Sequence, residues 1–393
     1  MKIKNLIFAS GLTLAAMLTA CSGGNETGLT KSGLDPAKFD TIINEKPVKL
    51  YTLTNKNGME ACITNFGGRV VSLMAKDKDG KFRDVVLGYD NVAQYADTVN
   101  NASDFGAAIG RYANRINQGI ITVNGEKIQL PKNNFGHCLH GGPSGWQYQV
   151  YDVNEELTND STLTLVMHSP DGDNNFPGNL EATVTYTLTS DNALDIKYEA
   201  TTDKETVINM TNHSYFNLNG HPEGTNYNMV LYVNADNYTP VDETFMTTGE
   251  VRPVHGTLFN FNNPKALKEC IADTTGINGV QIKYANGIDH NFCLNTYKDG
   301  VGYDNIVAAS LYSPETGIFL QVYTNEPGIQ VYTGNFLDGT KVGKNGIKYQ
   351  KQASVCLETQ KYPDAPNKKE WVSPYLKPGE KYYSHQVFKF SVK

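Results

Sequence analysis

Hydrophobic and polar positions alternate with period two over many short stretches of the chain. VKLYTLTN (48–55), STLTLVMHS (161–169), LEATVTYTLTS (180–190), ALDIKYEAT (193–201), NMVLYVNAD (228–236), GIFLQVYTN (317–325), GIQVYTGN (328–335) and SHQVFKFSV (384–392) set β-branched or aromatic residues against polar ones. That period suits a strand with one buried face, and the Gly, Asn, Asp and Pro residues between the runs supply turns. DKDGK (77–81) and VNGEK (123–127) read as tight hairpin turns, because Asp-Gly and Asn-Gly tolerate the positive φ such turns need. Helical periodicity is sparse: NVAQYA (91–96) and PKALKECI (264–271) suggest short helices. The pattern predicts an all-β fold, one domain of two large antiparallel sheets packed face to face. No internal repeat is visible, which favours a sandwich over a propeller.

The N-terminus breaks the pattern. Lys2 and Lys4 precede an apolar run from Leu6 to Ala20, too short to span a bilayer and suited to a signal-peptide core. It ends Leu18-Thr19-Ala20-Cys21, which resembles the lipidation signal of bacterial lipoproteins. The alternative is an ordinary signal peptide with Cys21 incidental. The expectation is a signal peptide over 1–20, a lipidated Cys21 with a flexible tether over 21–40, and a catalytic domain over 41–393. SGGNETGLTKSG (22–33) is polar and glycine-rich, as a tether should be. The expected location is the cell envelope, with a lipid anchor in the membrane.

Composition narrows the partners. A net charge of −7 and no basic stretch argue against nucleic acid and fit a neutral or weakly polar substrate. Beyond Cys21, the cysteines Cys62, Cys138, Cys270, Cys293 and Cys356 form no CxxC pair, so no zinc site is expected. Their number is odd, and Cys62, Cys293 and Cys356 lie in apolar runs, as buried thiols do.

Polar groups concentrate with Gly and Asn where a plain strand has neither: GRYANRI (110–116), FGHCLHGG (135–142), TNHSYFNLNG (211–220), GIDHNFCL (287–294), PGIQVYTGNF (327–336) and CLETQKYPDAPN (356–367). Singly, a His or Glu at a strand end is usually structural. In this order and together, from about Leu50 to the C-terminus, they resemble the aldose 1-epimerase family, or galactose mutarotases. The resemblance implies a large β-sandwich whose concave sheet holds a monosaccharide, and acid–base opening of a hemiacetal. Opening needs a base for the anomeric hydroxyl and an acid for the ring oxygen, and neither metal nor cofactor.

The resemblance assigns Glu358 as general base, His213 as general acid and His140 as a second donor at the ring oxygen. Asn114, Arg115, Asp289 and Gln330 are implied as ligands of sugar hydroxyls, with Arg111 a weaker alternative to Arg115. Gly141 and Gly142 are expected to leave room for a ligand beside the backbone. Trp146, Tyr215 and Phe216 are candidates to stack on the sugar. His137, His290, Asn212 and Ser214 read as structural, and DGDNNFPGNL (171–180) as a turn. Three other functions compete. A non-catalytic sugar-binding lipoprotein would not need a paired acid and base. A glycoside hydrolase would rely on Asp289 and Glu358 as its carboxylates. A hexose-6-phosphate epimerase would need more cations than Arg111 and Arg115.

Overall fold

The computed structural model describes residues 28–220, 224–272 and 276–393. The leader, Cys21 and residues 22–27 of the expected tether lie outside the described residues.

Alternation in sequence becomes alternation in burial. In Leu180–Leu188 the side chains of Leu180, Ala182, Val184, Tyr186 and Leu188 are buried, while those between them face outward. Ile318–Thr324 and Tyr382–Val392 follow the same rule. These strands lie in a nine-stranded sheet ordered Asp152–Val153, Thr162–Ser169, Leu180–Leu188, Ala193–Thr202, Tyr382–Val392, Ile318–Thr324, Ala309–Tyr312, Val230–Val233, Lys265–Ala266. A six-stranded sheet runs Tyr215–Phe216, Val355–Gln360, Gly328–Tyr332, Asp289–Leu294, Ala235–Thr239, Arg252–Pro253. One hydrophobic core joins Phe292, Ile329, Val331 and Leu357 of the second sheet to Val184, Ile196, Leu320 and Phe388 of the first. Fully burying such a side chain contributes about 1.5–3 kcal/mol, so this sandwich interior is the main source of stability. A four-stranded sheet from Leu50 to Asp84 adds Leu53, Ile63 and Leu73 to the same core.

The central strands of the six-stranded sheet differ from the rest. Every residue of Asp289–Leu294, Gly328–Tyr332 and Val355–Gln360 is buried, on both faces. One face meets the core. The other carries polar side chains beneath the loops, and this is where the site forms.

Most expected strands appear where alternation placed them, with two differences. NMVLYVNAD divides at Asn234: Val230–Val233 pairs in the larger sheet and Ala235–Thr239 in the smaller. Period two encodes which face is buried, not which sheet a strand joins. In PKALKECI only Lys268–Ile271 is helical, because Lys265–Ala266 pairs with Val230 and Leu231 as an edge strand. NVAQYA forms the helix Val92–Ala96, capped by the Asn91 side chain on the Gln94 amide. VNGEK turns on Asn124 (φ 51) and Gly125 (φ 83), as its Asn-Gly pair requires. Cys62, Cys138, Cys293 and Cys356 are free thiols, and they and Cys270 are buried.

The expected tether ends earlier than residue 40. Asp35 caps a short 3-10 turn over Pro36–Phe39, and the Lys31 amide donates to Glu60 Oε1 at 2.8 Å. Leu34 and Phe39 are buried with Tyr89 and Tyr95 in a second apolar cluster. Isolated apolar residues in a polar stretch carry no periodic signal, yet here they fill a niche. The fold begins by about Thr30.

Phe39→Ala should therefore cost about 3–5 kcal/mol, as buried Phe truncations do. Lys38→Ala next to it should stay within about 0.5 kcal/mol. Chemical denaturation of the two variants checks this, and equal midpoints would return residues 30–40 to the tether.

Candidate active site

Strand register builds the polar face. Asn291 lies opposite Gln330, and Gln330 opposite Glu358. In the next row outward on the same face, Asp289 is opposite Tyr332, Tyr332 opposite Cys356, and Cys356 opposite Tyr215. His213 arrives on Thr211–His213, which pairs with Ala107–Ile109. Asn212 and Ser214 hold that strand: Asn212 donates to Gly106 O at 2.9 Å and accepts from the Ser214 hydroxyl at 2.6 Å.

His213 Nε2 lies 3.4 Å from Glu358 Oε1, with both side chains at most 5% exposed. Burial raises the Glu358 carboxyl well above its usual range, Asp289 and Asp104 add to this, and Arg115 opposes it. Burial lowers His213, against the pull of Asp104 and Asp289. Both shifts favour a pair that shares one proton and is neutral as a unit. Glu358 Oε2 and His213 Nδ1 are buried and lack a hydrogen-bond partner among the described residues. Such atoms are costly unless a ligand or water meets them. The His213 ring stacks on Tyr215, with centroids 5.0 Å apart and planes 19° apart.

His140 stands edge-on to His213 at 5.2 Å. Its Nδ1 accepts the Asn114 backbone N–H at 3.2 Å, so the ring proton sits on Nε2. Burial depresses this imidazole to about 3, which leaves a neutral N–H donor at physiological pH. Asn114 adopts φ 65, and its side chain accepts from the Arg115 amide at 2.8 Å. Arg115 donates to Asn134 Oδ1 at 3.2 and 3.0 Å, and its guanidinium lies over the Phe245 ring at 5.2 Å. Asp289 accepts from Gln330 Nε2 at 2.6 Å, and Gln330 Oε1 accepts from Gln360 at 3.2 Å. His140, His213, Glu358, Asp289, Asn114 and Arg115 line one cavity of about 260 Å³.

Several sequence expectations are relocated. Gln330 is not on the cavity wall; it orients Asp289 from beneath. Gly141 and Gly142 do not make room for a ligand. At Gly141 (φ +79) a Cβ would come within 2.2 Å of Gly110 O, and Gly142 (φ +97) faces Asn174, so protein fills the space. Arg111 points away from the cavity and donates to Pro177 O at 2.8 Å, Gly178 O at 3.1 Å and Ser169 O at 3.0 Å, pinning the DGDNNFPGNL turn. Trp146 is buried in the core against Gly110, and Phe216 packs on Phe388 at 4.8 Å. Neither reaches the cavity; Tyr215 does, together with Tyr332 and Phe336. His137 and His290 each accept a backbone N–H on Nδ1, from Gln118 and Asp289, and bond Thr244 and Gln281 through Nε2. They are structural.

Sequence reasoning missed Asp104, Asn134, Tyr332 and Phe336 on the wall. Tyr332 and Phe336 lie inside PGIQVYTGNF, so alternation from Gln330 could have found Tyr332. Asp104 and Asn134 sit in loops without a pattern. Asp104, His140 and His213 have the spacing of a metal site, with ligand atoms within 4.8 Å of one another. His140 does not suit one. Its Nδ1 is held as an acceptor, so Nε2 keeps its proton and donates rather than ligates. In the cluster of His213, Cys356 and Glu358, burial raises the thiol far above its usual range and keeps it protonated.

Comparison with known proteins identifies the family. Residues 49–389 match the family model described as Aldose 1-epimerase. The chain is 41% identical over 330 residues to Galactose mutarotase of Mus musculus, spanning 84% of this chain and 90% of that protein. It is 38% identical over 348 residues to Aldose 1-epimerase of Escherichia coli (strain K12), spanning 88% and 96%. The crystal structure of an aldose epimerase homologue from C. elegans superposes with a TM-score of 0.79 at 29% identity, over 88% of this chain and 99% of that one. That of galactose 1-epimerase from Lactobacillus acidophilus gives 0.75 at 29% identity, over 90% and 97%. The chain belongs to the aldose 1-epimerase family and is an isomerase.

Proposed function

We infer that this chain interconverts the α and β anomers of free aldoses, with Glu358 as base and His213 as acid. The observation that carries the reading is their buried pair at 3.4 Å, whose Oε2 and Nδ1 have no hydrogen-bond partner among the described residues. The anomeric hydroxyl and the ring oxygen are bonded to the same carbon. A base and an acid serving them must therefore be neighbours, as these two are.

Glu358 takes the proton of the anomeric hydroxyl. The bond from C1 to the ring oxygen breaks, its electron pair goes to that oxygen, and His213 supplies the proton. The free aldehyde turns about C1–C2, and the hydroxyl then adds to its other face. Both protons return, so no atom or electron is gained or lost. His140 Nε2–H is a neutral second donor for charge developing on the ring oxygen. Asp289, Arg115 and Asn114 hold hydroxyls, and the Gln360–Gln330–Asp289 chain fixes the carboxylate that does so. For location, the Leu18–Cys21 signal supports a lipid-anchored enzyme of the cell envelope.

With freshly dissolved α-glucose or α-galactose, polarimetry should show decay of rotation faster than buffer. Glu358→Gln should lower kcat by about 10²–10⁴-fold, whereas decay at the buffer rate with every common aldose would falsify the reading. The pH profile of kcat/KM should be a broad bell, since activity needs one proton on the pair. Adding a second proton meets a lowered His213, and removing the only one meets a raised Glu358, so burial spreads both limbs outward. A single limb at the ordinary histidine value would contradict this. Cys21→Ser should move the protein from the membrane to the soluble fraction on cell fractionation. Retention in the membrane would discard the anchor and leave the enzyme reading intact.

A further inference from the structure

The reaction above leaves one carboxylate in the cavity without a task. Asp104 is on the wall, and its carboxylate lies within 4.8 Å of a ring nitrogen of both His140 and His213. Among the described residues none donates a hydrogen bond to that carboxylate. Its backbone, by contrast, is held firmly. Arg69, 0% exposed, donates to Ser103 O at 3.0 Å and to Phe105 O at 3.0 Å, the carbonyls on either side of Asp104. The same guanidinium donates to Gln147 O at 2.7 Å, and Phe105 packs edge-on to Tyr215 at 4.7 Å. A buried arginine thus fixes a short loop whose one charged side chain lacks a protein partner. That is the arrangement of an acceptor preorganised for a donor on a ligand.

The position of Asp104 identifies the donor. His213 belongs to two groupings, one with His140 and Asp104, the other with Cys356 and Glu358. No grouping holds both Asp104 and Glu358, so the two carboxylates approach His213 separately. With the histidines at the ring oxygen and Glu358 at the C1 hydroxyl, the other carbon on that oxygen is C5, and Asp104, beside both histidines, is the carboxylate left to serve it. In an aldohexose, C5 carries the C6 hydroxymethyl group. A pentose has only hydrogen there, a 6-deoxy sugar has no hydroxyl, and a 6-phosphate brings negative charge toward a carboxylate. Lys341 also lines the cavity, and its ammonium donates to Asn100 O at 2.9 Å. We propose that Asp104 is a specificity-determining residue that accepts a hydrogen bond from the C6 hydroxyl and selects unphosphorylated aldohexoses. The proposal rests on the epimerase reading and names its substrate class.

The test compares kcat/KM for glucose, 6-deoxyglucose and glucose 6-phosphate, by polarimetry on the full-length protein. In the unmodified protein glucose should exceed 6-deoxyglucose by roughly 10- to 100-fold, the contribution of a hydrogen bond to a charged group. Asp104→Ala should bring that ratio close to one. Asp104→Asn, which keeps an acceptor oxygen and the side-chain shape, should retain part of the ratio and raise the rate with glucose 6-phosphate. Thermal unfolding checks that both variants are folded. A ratio near one in the unmodified protein, or a ratio that Asp104→Ala leaves as it was, overturns the proposal while the epimerase reading stands. No acceleration with any sugar overturns both.

Discussion

The site depends on placing ionisable groups where water does not reach. An isolated carboxylate in such a place costs several kcal/mol even after relaxation, so a lone Glu358 would simply take up a proton. The fold avoids that outcome by burying Glu358 against a group of complementary titration and by setting Arg115 on the same wall. Desolvation then works for the chemistry. It disfavours every charged state of the pair as a whole and leaves the one-proton state, which is the state that can give and take. Rigid neighbours keep it so: the Tyr215 ring against His213, and the backbone amide that fixes the His140 tautomer.

How far the sequence disclosed this varies by residue. Motif residues that reach the cavity, such as Glu358, His213 and Asp289, were legible because their motifs are long and ordered. The sandwich was legible because alternation records burial directly. Gln330 shows the limit: residue type and motif could not say whether its amide meets a hydroxyl or holds Asp289 from below, since that is a question of layers. Gly141 is a similar case, where openness in sequence conceals close backbone packing in space. Arg69 and Asp104 were invisible because the link between them is a grip on main-chain carbonyls, which depends on no side-chain pattern. Leu34 and Phe39 were invisible because isolated apolar residues carry no period.

The wall of the cavity has two kinds of support. The reacting pair and Asp289 are carried by strands whose ladders leave little freedom. Asp104 and Asn134 are carried by loops, one clamped by Arg69 and the other joined to Arg115. On the proposed roles, chemistry resides on the sheet and discrimination among sugars on its rim, a division common where binding loops sit on a rigid scaffold.

The strand Val355–Gln360 alternates Cys356, Glu358 and Gln360 toward the polar side with Val355 and Leu357 toward the core. A single-residue insertion or deletion there would exchange the two sets, driving Glu358 into hydrocarbon and Leu357 into the cavity. Length changes in the central strands are thus closed to evolutionary drift, while loop lengths around them stay open. New substrate ranges in this architecture are to be sought in altered loops over an unchanged ladder. A homologue with a frame slip in this ladder would have surrendered catalysis, whatever motif letters it still spells.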